Sequence, residues 1–378
     1  MSSNIKKLAI LGSTGSIGRQ VLDIVGDFPD RFMITGLAGG KNTSLLSSQI
    51  NQFQPKLVYS AHKFNPPDGT KLCSMEEMAV HPDVDMVVLA TSGKVGLTPT
   101  LAAIRSGKKI ALANKEVLVM AGAIVMAEAG LKQTQILPID SEHSAIYQCL
   151  QGETSQVARL ILTASGGPLF HRSPATLNSV TVDEALKHPT WKMGEKVTID
   201  SATLMNKALE AIEASWLFSI PLTKIDIVIH PQSVIHSLVE FVDGSLKAQL
   251  SAPDMRFAIQ YALSYPERLA NNRLPRIDLP LLNSLTFDRI NYSMFPCLQL
   301  GLNAGKKGGT YPAVLCAADE IAVQLFLEKR IDFGQIAEII DKILSLHQSV
   351  DKPTLDDILE ADQWARNTAT EILSKVNL

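Results

Sequence analysis

Carboxylates at two places in the sequence have the chemistry to hold a metal ion. Asp140 and Glu142 directly follow an apolar run, and Glu210 lies three residues after Lys207 and four after Asn206 in a helical pattern. Carboxylate oxygens suit Mg²⁺ or Mn²⁺, and residues three and four apart share a helix face. Such a set could hold a metal and a phosphate together. The structural alternatives are helix capping by Asp140 and Glu142 and a solvated Lys207–Glu210 pair.

A glycine-rich turn near the start of the chain has the context of a dinucleotide-binding loop. The segment Gly12-Ser13-Thr14-Gly15-Ser16-Ile17-Gly18 follows an apolar run and opens a helical pattern. Glycines allow the backbone to approach a pyrophosphate, and the helix N-terminus stabilises its charge. The spacing G-x-x-G-x-x-G is a variant of the usual fingerprint. A glycine turn with no ligand is the alternative.

The end of the second predicted strand bears on which nicotinamide cofactor would bind. An NAD site usually places Asp or Glu there to hold the ribose hydroxyls. Here the sequence reads Gly39-Gly40-Lys41-Asn42, with no carboxylate and with a cation that could hold a 2′-phosphate. This pattern favours NADP(H), although Lys41 could also be an ordinary surface lysine.

Two further segments are candidates for substrate contacts. The segment 163–168 follows a predicted strand and offers the Ser165 hydroxyl and exposed N–H groups to phosphate or carbonyl oxygens. The segment 187–195 carries His188, Trp191 and Met193 together with the hinge residues Pro189 and Gly194, a composition expected of a closing lid. The alternatives are an ordinary turn and a loop that Trp191 packs onto its own core.

Predicted strands and helices alternate over the first 140 residues, and these elements must position the candidate residues. Helical patterns separate several apolar runs, so the pattern predicts an α/β fold with an N-terminal Rossmann-like parallel sheet. The predicted strands are Leu8–Leu11, Phe32–Leu37, Lys56–Tyr59, Asp85–Ala90, Lys109–Ala113 and Gln135–Ile139.

The middle of the chain predicts an α+β catalytic domain. Strands are expected at Leu160–Thr163 and Lys196–Ile199, and a helix at about Ala202–Phe218. Two more predicted strands, Val234–Val242 and Ser245–Leu250, flank the hairpin signal Asp243-Gly244. Residues 271–296 carry three prolines and predict a linker, and residues 297–378 predict a C-terminal helical bundle. The expected domains are therefore 1–140, which binds NADPH, 141–270, which binds metal and substrate, and 297–378.

Composition narrows the class of protein. The net charge of -3 does not suggest a nucleic-acid binder, and no stretch is long and apolar enough to predict a membrane span. The four cysteines lack C-x-x-C spacing and are expected to be free thiols in a reducing compartment. A cytoplasmic, bacterial protein is the resulting expectation.

The motifs occur together in an order that resembles the 1-deoxy-D-xylulose 5-phosphate reductoisomerase family. The resemblance runs through 12–18, 113–116, 138–143, 163–168, 188–194, 200–210 and 230–233, and so covers nearly the whole chain. It implies an NADPH- and metal-dependent rearrangement and reduction of the sugar phosphate to 2-C-methyl-D-erythritol 4-phosphate, in the non-mevalonate isoprenoid pathway. It also implies a homodimer. The segment 90–96 departs from the Val-Gly pair associated with this turn in the family, which leaves cofactor contacts there open.

The resemblance implies roles for individual residues. It implies that NADPH is bound by Gly12, Ser13, Thr14, Gly15, Ser16, Ile17, Gly39, Gly40, Lys41, Asn42, Asn114, Glu116 and Gly194. It implies that Mg²⁺ or Mn²⁺ is bound by Asp140, Glu142 and Glu210. It implies that the substrate is bound by Lys115, Ser141, Glu142, Ser165, His188, Trp191, Met193, Ser201, Asn206, Lys207 and Glu210. Catalytic roles are expected for Lys115, Asp140, Glu142, His188 and Glu210.

Two other functions remain open on the sequence. An NADP-dependent dehydrogenase of the semialdehyde or homoserine type would share the two-domain plan and would need no metal. A protein that senses NADP without catalysis would bind the cofactor and fail to oxidise it.

Overall fold

Strands and helices alternate through the first part of the chain, as the sequence predicts. The structure is a computed structural model that describes residues 5–375. In chain order the first elements are β1 (Lys6–Leu11), α1 (Ser16–Asp27), β2 (Phe32–Gly39), α2 (Thr43–Phe53), β3 (Leu57–Ser60), β4 (Lys71–Leu72), α3 (Met75–Val80), β5 (Met86–Leu89), α4 (Leu97–Arg105), β6 (Lys109–Leu112), α5 (Glu116–Lys132), β7 (Ile136–Pro138) and α6 (Ser141–Cys149).

The later elements mix strands and helices and then become helical. They are β8 (Val157–Ala164), α7 (Val182–Ala185), α8 (Glu195–Thr203), α9 (Met205–Leu217), β9 (Ile225–Ile229), β10 (Ile235–Phe241), β11 (Leu246–Leu250), α10 (Arg256–Ser264), α11 (Leu279–Leu282), α12 (Pro296–Lys307), α13 (Tyr311–Leu327), α14 (Gln335–Leu346) and α15 (Leu355–Lys375). Short 3₁₀ helices lie at Gly93–Gly96, Pro174–Ser179 and Leu222–Lys224.

The first sheet has seven parallel strands in the order β4-β3-β2-β1-β5-β6-β7. All six predicted strands are present, and the prediction of a Rossmann-like parallel sheet is confirmed. The additional strand β4 has only two residues, both exposed, so it carries no apolar pattern to detect. From β1 the sheet extends through β2, β3 and β4 on one side and through β5, β6 and β7 on the other, so the strand order switches direction beside β1. Open α/β sheets bind ligands at such a switch point, at the carboxyl ends of their strands.

Close contacts divide the chain into two units. The first comprises the chain up to Val117, Val125–Tyr147 and Asp254–Arg276, and the second comprises Leu118–Ile124, Gln148–Pro253 and the chain from Ile277 onward. Residues 254–276 therefore depart from the predicted boundaries, which placed them in the catalytic domain and the linker. Ile259 and Leu263 of α10 are buried in the apolar core of the first unit together with β1 and α1. These contacts join segments far apart in sequence, so local patterns do not predict them.

The second sheet is mixed, with strand order β11-β10-β8-β9. Strand β10 is antiparallel to β8 and β11, whereas β8 is parallel to β9. The predicted hairpin is present: Gly244 has φ of +84° and its N–H donates to the carbonyl oxygen of Phe241 at 2.9 Å. The sheet carries the segment 163–168 at the end of β8.

The strand predicted at Lys196–Ile199 is wrong, because these residues lie in helix α8. The run Val197-Thr198-Ile199 is β-branched and locally favours a strand. An ion pair between Lys196 and Asp200, four residues apart, supports the helix instead. The predicted helix at 202–218 is also divided, because Leu204 adopts a left-handed φ of +58° between α8 and α9.

The C-terminal region is helical, as predicted. Ile336, Ile340 and Ile343 of α14 are fully buried and form the apolar stripe that the sequence shows. Most of the predicted linker lies outside helices and strands, apart from α11 and a bridge between Asp288 and Ile229. No helix within residues 5–375 is long and apolar enough to cross a membrane.

Candidate active site

The carboxyl edge of the seven-stranded sheet carries most of the predicted residues of the first unit. Strand order places the loops after β2, β1, β5, β6 and β7 side by side along this edge. The loop after β1 holds the glycine turn, that after β2 holds Lys41, and that after β6 holds Asn114 and Lys115. Asp140 follows β7. Segments spread over the first 140 residues thus form one continuous row.

In the glycine turn, the backbone at Gly12 and Gly18 lies so close to neighbouring backbone atoms that only glycine fits there. Gly12 has φ of +99°, and a Cβ there would lie 2.3 Å from the carbonyl oxygen of Ala90. A Cβ on Gly18 would lie 2.2 Å from the carbonyl oxygen of Gly12. Ser13 is fully buried, and its N–H donates to the carbonyl oxygen of Ala38 at 2.8 Å. The turn is therefore held against the ends of β2 and β5.

The start of helix α1 fits an anionic ligand. Gly15 is its exposed N-cap, and among the described residues no side chain caps this end and no acid lies in its first turn. The N–H groups and the positive end of the helix dipole thus remain for a phosphate group. Thr14, Ser16 and Ile17 are half-buried beside it.

The loop after β2 has two distinct parts. Gly40 and Lys41 are exposed, and a Cβ on Gly40 would meet no atom within 4 Å. Asn42 caps α2, because its Oδ1 accepts a hydrogen bond from the Leu45 N–H at 3.0 Å. Gly39 is buried, and a Cβ there would lie 3.0 Å from Leu46. The exposed lysine is available to a ligand, whereas the asparagine orders the loop.

Asn114 organises the turn where this sequence departs from the family pattern. Its side chain is buried, and Nδ2 donates to Thr91 Oγ1 at 3.0 Å and to the Gly93 carbonyl oxygen at 2.9 Å. Its Oδ1 accepts from the Val117 N–H at 3.2 Å, at the start of α5. Asn114 thus joins the loop after β5 to that after β6. Glu116 is half-buried at the first position of α5.

A lysine and a carboxylate face each other at the ends of β6 and β7. Lys115 is 8% exposed, and its Nζ lies 3.2 Å from Asp140 Oδ2. Oδ1 of Asp140 lies 3.6 Å from Nδ1 of the fully buried His143. The Ser141 hydroxyl donates to the Glu142 carboxylate in the first turn of α6. Glu142 does occupy a first-turn position, but Asp140 forms an ion pair with a buried lysine, which the capping alternative does not predict.

Helix α9 of the second unit carries a polar triad, of which Lys207 and Glu210 are buried and Asn206 is half-buried. Glu210 is 1% exposed, and its Oε2 lies 2.6 Å from Nζ of Lys207, which is 4% exposed. Its Oε1 accepts from Asn206 Nδ2 at 2.5 Å. The alternative of a solvated Lys–Glu pair is therefore wrong. Burying these groups is costly unless they are paired, and here each oxygen of Glu210 has a donor.

His188 and Ser165 form a second polar group in the same unit. Nδ1 of His188 accepts the N–H groups of Thr190 at 3.1 Å and Trp191 at 2.9 Å, so the ring proton lies on Nε2. Nε2 lies 2.9 Å from Ser165 Oγ. Burial and, as the smaller cause, the positive charge of Lys207 together lower the pKa of His188 to about 4. The imidazole is therefore neutral at pH 7 and donates from Nε2.

The loop after β8 holds the Ser165 hydroxyl oxygen between two donors. Its Oγ accepts from His188 and from the Gly167 N–H at 3.2 Å, which leaves its own proton to donate. A Cβ on Gly167 would lie 2.6 Å from the Ser201 carbonyl oxygen, so the loop rests directly on α8. The second unit thus brings Ser165, His188, Ser201 and Lys207 into one neighbourhood suited to an anion.

The lid segment lies partly against its own sheet. The ring centroid of Trp191 is 6.2 Å from that of His236 on β10, and His236 Nε2 lies 2.7 Å from Ser251 Oγ. Trp191 and Met193 are half-buried, and Gly194 is the exposed N-cap of α8. Sequence reasoning assigned no role to His143 or His236. His143 follows Glu142 at the start of α6 and His236 lies within β10, and neither gives a local signal beyond its residue type.

Comparison with known proteins covers nearly the whole chain. Residues 8–122 match the family model of 1-deoxy-D-xylulose 5-phosphate reductoisomerase. Residues 136–218 match the C-terminal domain model of that enzyme, and residues 250–368 match the DXP reductoisomerase C-terminal domain. A 1-deoxy-D-xylulose 5-phosphate reductoisomerase from Caldanaerobacter subterraneus subsp. tengcongensis is 54% identical, over 96% of this chain and 98% of its own length. This chain belongs to the 1-deoxy-D-xylulose 5-phosphate reductoisomerase family.

Further reductoisomerases are similar to this chain in sequence and in structure. The enzyme from Pelotomaculum thermopropionicum is 49% identical over 98% of this chain and 99% of its own. A solved DOX-P reductoisomerase in complex with NADPH, fosmidomycin and magnesium has a TM-score of 0.89 and 39% identity, covering 98% of this chain and 100% of that one. The Zymomonas mobilis reductoisomerase in complex with NADPH has a TM-score of 0.87 and 38% identity, covering 98% and 99% of the two chains.

Proposed function

We propose that this protein is an NADPH- and divalent-metal-dependent oxidoreductase that converts 1-deoxy-D-xylulose 5-phosphate (DXP) to 2-C-methyl-D-erythritol 4-phosphate, a step of non-mevalonate isoprenoid synthesis. The observation that carries the proposal is the row of loops on the seven-stranded sheet. It aligns a dinucleotide turn with a buried lysine, Lys115, and with the carboxylates Asp140 and Glu142. A simple dehydrogenase needs the turn but not the carboxylates.

NADPH fits the glycine turn and its neighbouring loops. The uncapped start of α1 suits the pyrophosphate, and exposed Lys41 suits the 2′-phosphate. When bound, NADPH supplies the hydride for the reduction. The proposed cofactor-binding residues are Gly12, Ser13, Thr14, Gly15, Ser16, Ile17, Gly39, Gly40, Lys41, Asn42, Asn114, Glu116 and Gly194. The contacts of Asn42 and Asn114 favour a role in shaping loops over a direct side-chain contact.

The proposed metal ligands are Asp140, Glu142 and Glu210. All three offer hard carboxylate oxygens, the donors that Mg²⁺ and Mn²⁺ prefer. When bound, the metal polarises the carbonyl and adjacent hydroxyl of the substrate. Two of these carboxylates already form ion pairs, Asp140 with Lys115 and Glu210 with Lys207. A bound metal would neutralise part of the negative charge that these lysines now balance.

The substrate phosphate fits the neutral and cationic donors of the second unit. Ser165 has a hydroxyl proton to donate, His188 orients that hydroxyl through Nε2, and Lys207 supplies a charge. Phosphate groups are bound by such charge-assisted hydrogen bonds. Ser201 and Asn206 complete the proposed set. Phosphate binding supplies energy remote from the reacting carbons, where it can orient the substrate.

Lys115 and the lid are proposed to act at the reacting end of the substrate. The Lys115 ammonium can donate a proton or stabilise negative charge on a substrate oxygen. Ser141 and Glu142 lie beside it at the start of α6. Trp191 and Met193 would close over the sugar and exclude water, which would otherwise quench charged species.

A homodimer is proposed, with β11 as the contact surface. Strand β11 lies at the edge of the second sheet, and Leu246 and Leu250 on one of its faces are 52% and 39% exposed. An apolar edge strand is a template for pairing with a second copy of the chain. Leu246→Lys combined with Leu250→Lys should convert a dimer to a monomer in sedimentation, whereas Leu346→Lys should not. An unchanged mass for the double variant would exclude this surface.

A cytoplasmic location is also proposed. It rests on the four unbridged cysteines, since thiols persist in a reducing compartment. Fractionation of the native cells with an antibody against the protein would test it, and recovery from the periplasmic fraction would contradict it.

The test of the activity is NADPH oxidation in the presence of DXP. We expect turnover with Mg²⁺ and its loss on chelation, with 2-C-methyl-D-erythritol 4-phosphate as the product. Activity that survives a chelator would favour a dehydrogenase of the semialdehyde or homoserine type. NADPH binding without oxidation by DXP would favour a sensor and overturn the proposal.

A further inference from the structure

A buried ion cluster connects α8 with α13 in the second unit. Nζ of Lys196, in the first turn of α8, lies 2.7 Å from Oδ2 of Asp200 and 2.6 Å from Oδ2 of Asp319. Asp200 is 1% exposed and Asp319 is fully buried. One ammonium thus bridges a carboxylate of its own helix and a carboxylate of α13 that lies 123 positions further along the chain.

The two carboxylates of this cluster lie in closely packed surroundings. Helix α8 packs against both α12 and α13. Burial raises the pKa of the Cys297 thiol on α12, and the nearby Asp319 and Asp200 carboxylates raise it further. Charges in such surroundings are strongly coupled to geometry, because their attraction offsets the desolvation cost only when the groups are well aligned. The cluster therefore specifies where α8 sits on the C-terminal helices.

Helix α8 joins this cluster to the proposed phosphate-binding residues. It begins at the end of the lid segment, with Gly194 as its N-cap, and it carries Ser201 directly after Asp200. The Ser201 carbonyl oxygen lies under Gly167, whose N–H donates to Ser165 Oγ. A shift of α8 would consequently move both serine hydroxyls.

We propose that Asp319 is a positioning residue for the substrate phosphate. Through Lys196 it fixes α8, and α8 in turn fixes Ser201 and the loop that carries Ser165. The helical C-terminal region thereby contributes to substrate recognition without touching the substrate. This inference rests on the proposed function, because it takes Ser201 and Ser165 to be phosphate ligands.

The variant Asp319→Asn keeps the size of the side chain and removes its charge. If α8 loses its position, the phosphate contacts weaken in the ground state and in the transition state alike. We therefore expect the KM for DXP to rise about tenfold while kcat changes less than about threefold. The dissociation constant of NADPH, measured by fluorescence, should stay within about twofold of the wild-type value.

Asp362→Asn is the matched control. Asp362 is also fully buried, and its Oδ2 lies 2.9 Å from Nε of Arg366, four residues along α15. Arg366 pairs with Glu320 on α13 at 2.6 Å. This variant removes the charge of another buried, paired carboxylate in the same C-terminal helical region, so it reports the effect of lost stability. Its KM for DXP should remain at the wild-type value.

Two substitutions at Lys196 keep the test decisive if Asp319→Asn does not fold. The Lys196 side chain is 24% exposed, so Lys196→Gln can direct its amide toward water. Lys196→Gln should raise the KM for DXP as Asp319→Asn does, and Lys196→Arg should restore it, since a guanidinium can bridge two carboxylates. A folded Lys196→Gln protein with an unchanged KM overturns the inference, as does an equal rise in KM for Asp362→Asn. Absence of DXP turnover in the wild type would instead refute the proposed function.

Discussion

Nε2 of His188 lies 2.9 Å from Oγ of Ser165, although 23 positions separate the two residues in sequence. Two backbone N–H groups hold Nδ1 of the same ring, so the imidazole cannot accept a second proton without losing them. The ring is thereby kept as a neutral donor beside a hydroxyl whose own proton is directed away. This arrangement gives a phosphate site one directed donor, the Ser165 hydroxyl, before Lys207 adds its charge.

The lowered pKa of His188 predicts how stability depends on pH. The folded protein holds this pKa at about 4, below its ordinary value of 6.5, so only the unfolded chain binds the proton between those two pH values. The free energy of unfolding therefore falls as pH falls from about 6.5 to 4. His188→Asn, whose amide oxygen can accept the same N–H groups, should make this fall shallower in denaturant titrations. An unchanged slope would refute the assignment, and exposed His62→Asn is the control.

Replacing Lys207 should weaken the binding of the sugar phosphate. Lys207→Met retains the apolar stem and removes the charge that also balances Glu210. A charge-assisted contact contributes about 2 kcal/mol, so the KM for DXP should rise about 30-fold, with NADPH affinity unchanged. The exposed Lys224→Met provides the comparison in steady-state kinetics. An unaltered KM in the Lys207 variant would exclude the phosphate role.

Replacing Glu210 should remove most turnover. Glu210→Gln preserves shape, but an amide is a poorer ligand for a divalent cation than a carboxylate is. Since losing even the partner of a metal ligand costs up to about 100-fold in activity, kcat should fall at least that far. NADPH affinity should be retained. Glu240→Gln, which breaks the ion pair with Arg159, is the control. Full turnover of Glu210→Gln at saturating Mg²⁺ would remove Glu210 from the ligand set.

Replacing Lys41 should reduce the preference for NADPH over NADH. The lysine is exposed after β2, and no carboxylate stands in the four-residue segment 39–42 to hold a ribose hydroxyl. An exposed ion pair contributes up to about 1 kcal/mol, so the ratio of kcat/KM values should fall about fivefold in Lys41→Ala. Lys132→Ala, which alters the last turn of α5, should leave the ratio unchanged. If both variants keep the wild-type ratio, the 2′-phosphate of NADPH binds away from Lys41.

Local sequence patterns were sufficient where neighbouring residues determine the structure. Apolar runs alternating with helical patterns indicated the parallel sheet, Asp243-Gly244 indicated the hairpin of the second sheet, and the glycine turn indicated a dinucleotide site. Each depends on backbone geometry or side-chain periodicity within a few residues. The spacing of Lys207 and Glu210 likewise placed both on one face of α9, but it did not reveal that this face is buried.

The tertiary structure decided what depends on residues distant in sequence. The β-branched segment 197–199 is helical because α8 packs on α12 and α13 and because Lys196 reaches Asp319. Residues 254–276 join the first unit through contacts such as Asn271 with Asp27 at 3.1 Å. The sequence by itself thus determined the elements and the chemistry they carry. Only tertiary packing decided which groups are buried, paired and neutral, because desolvation and ion pairing depend on distances that sequence spacing does not define.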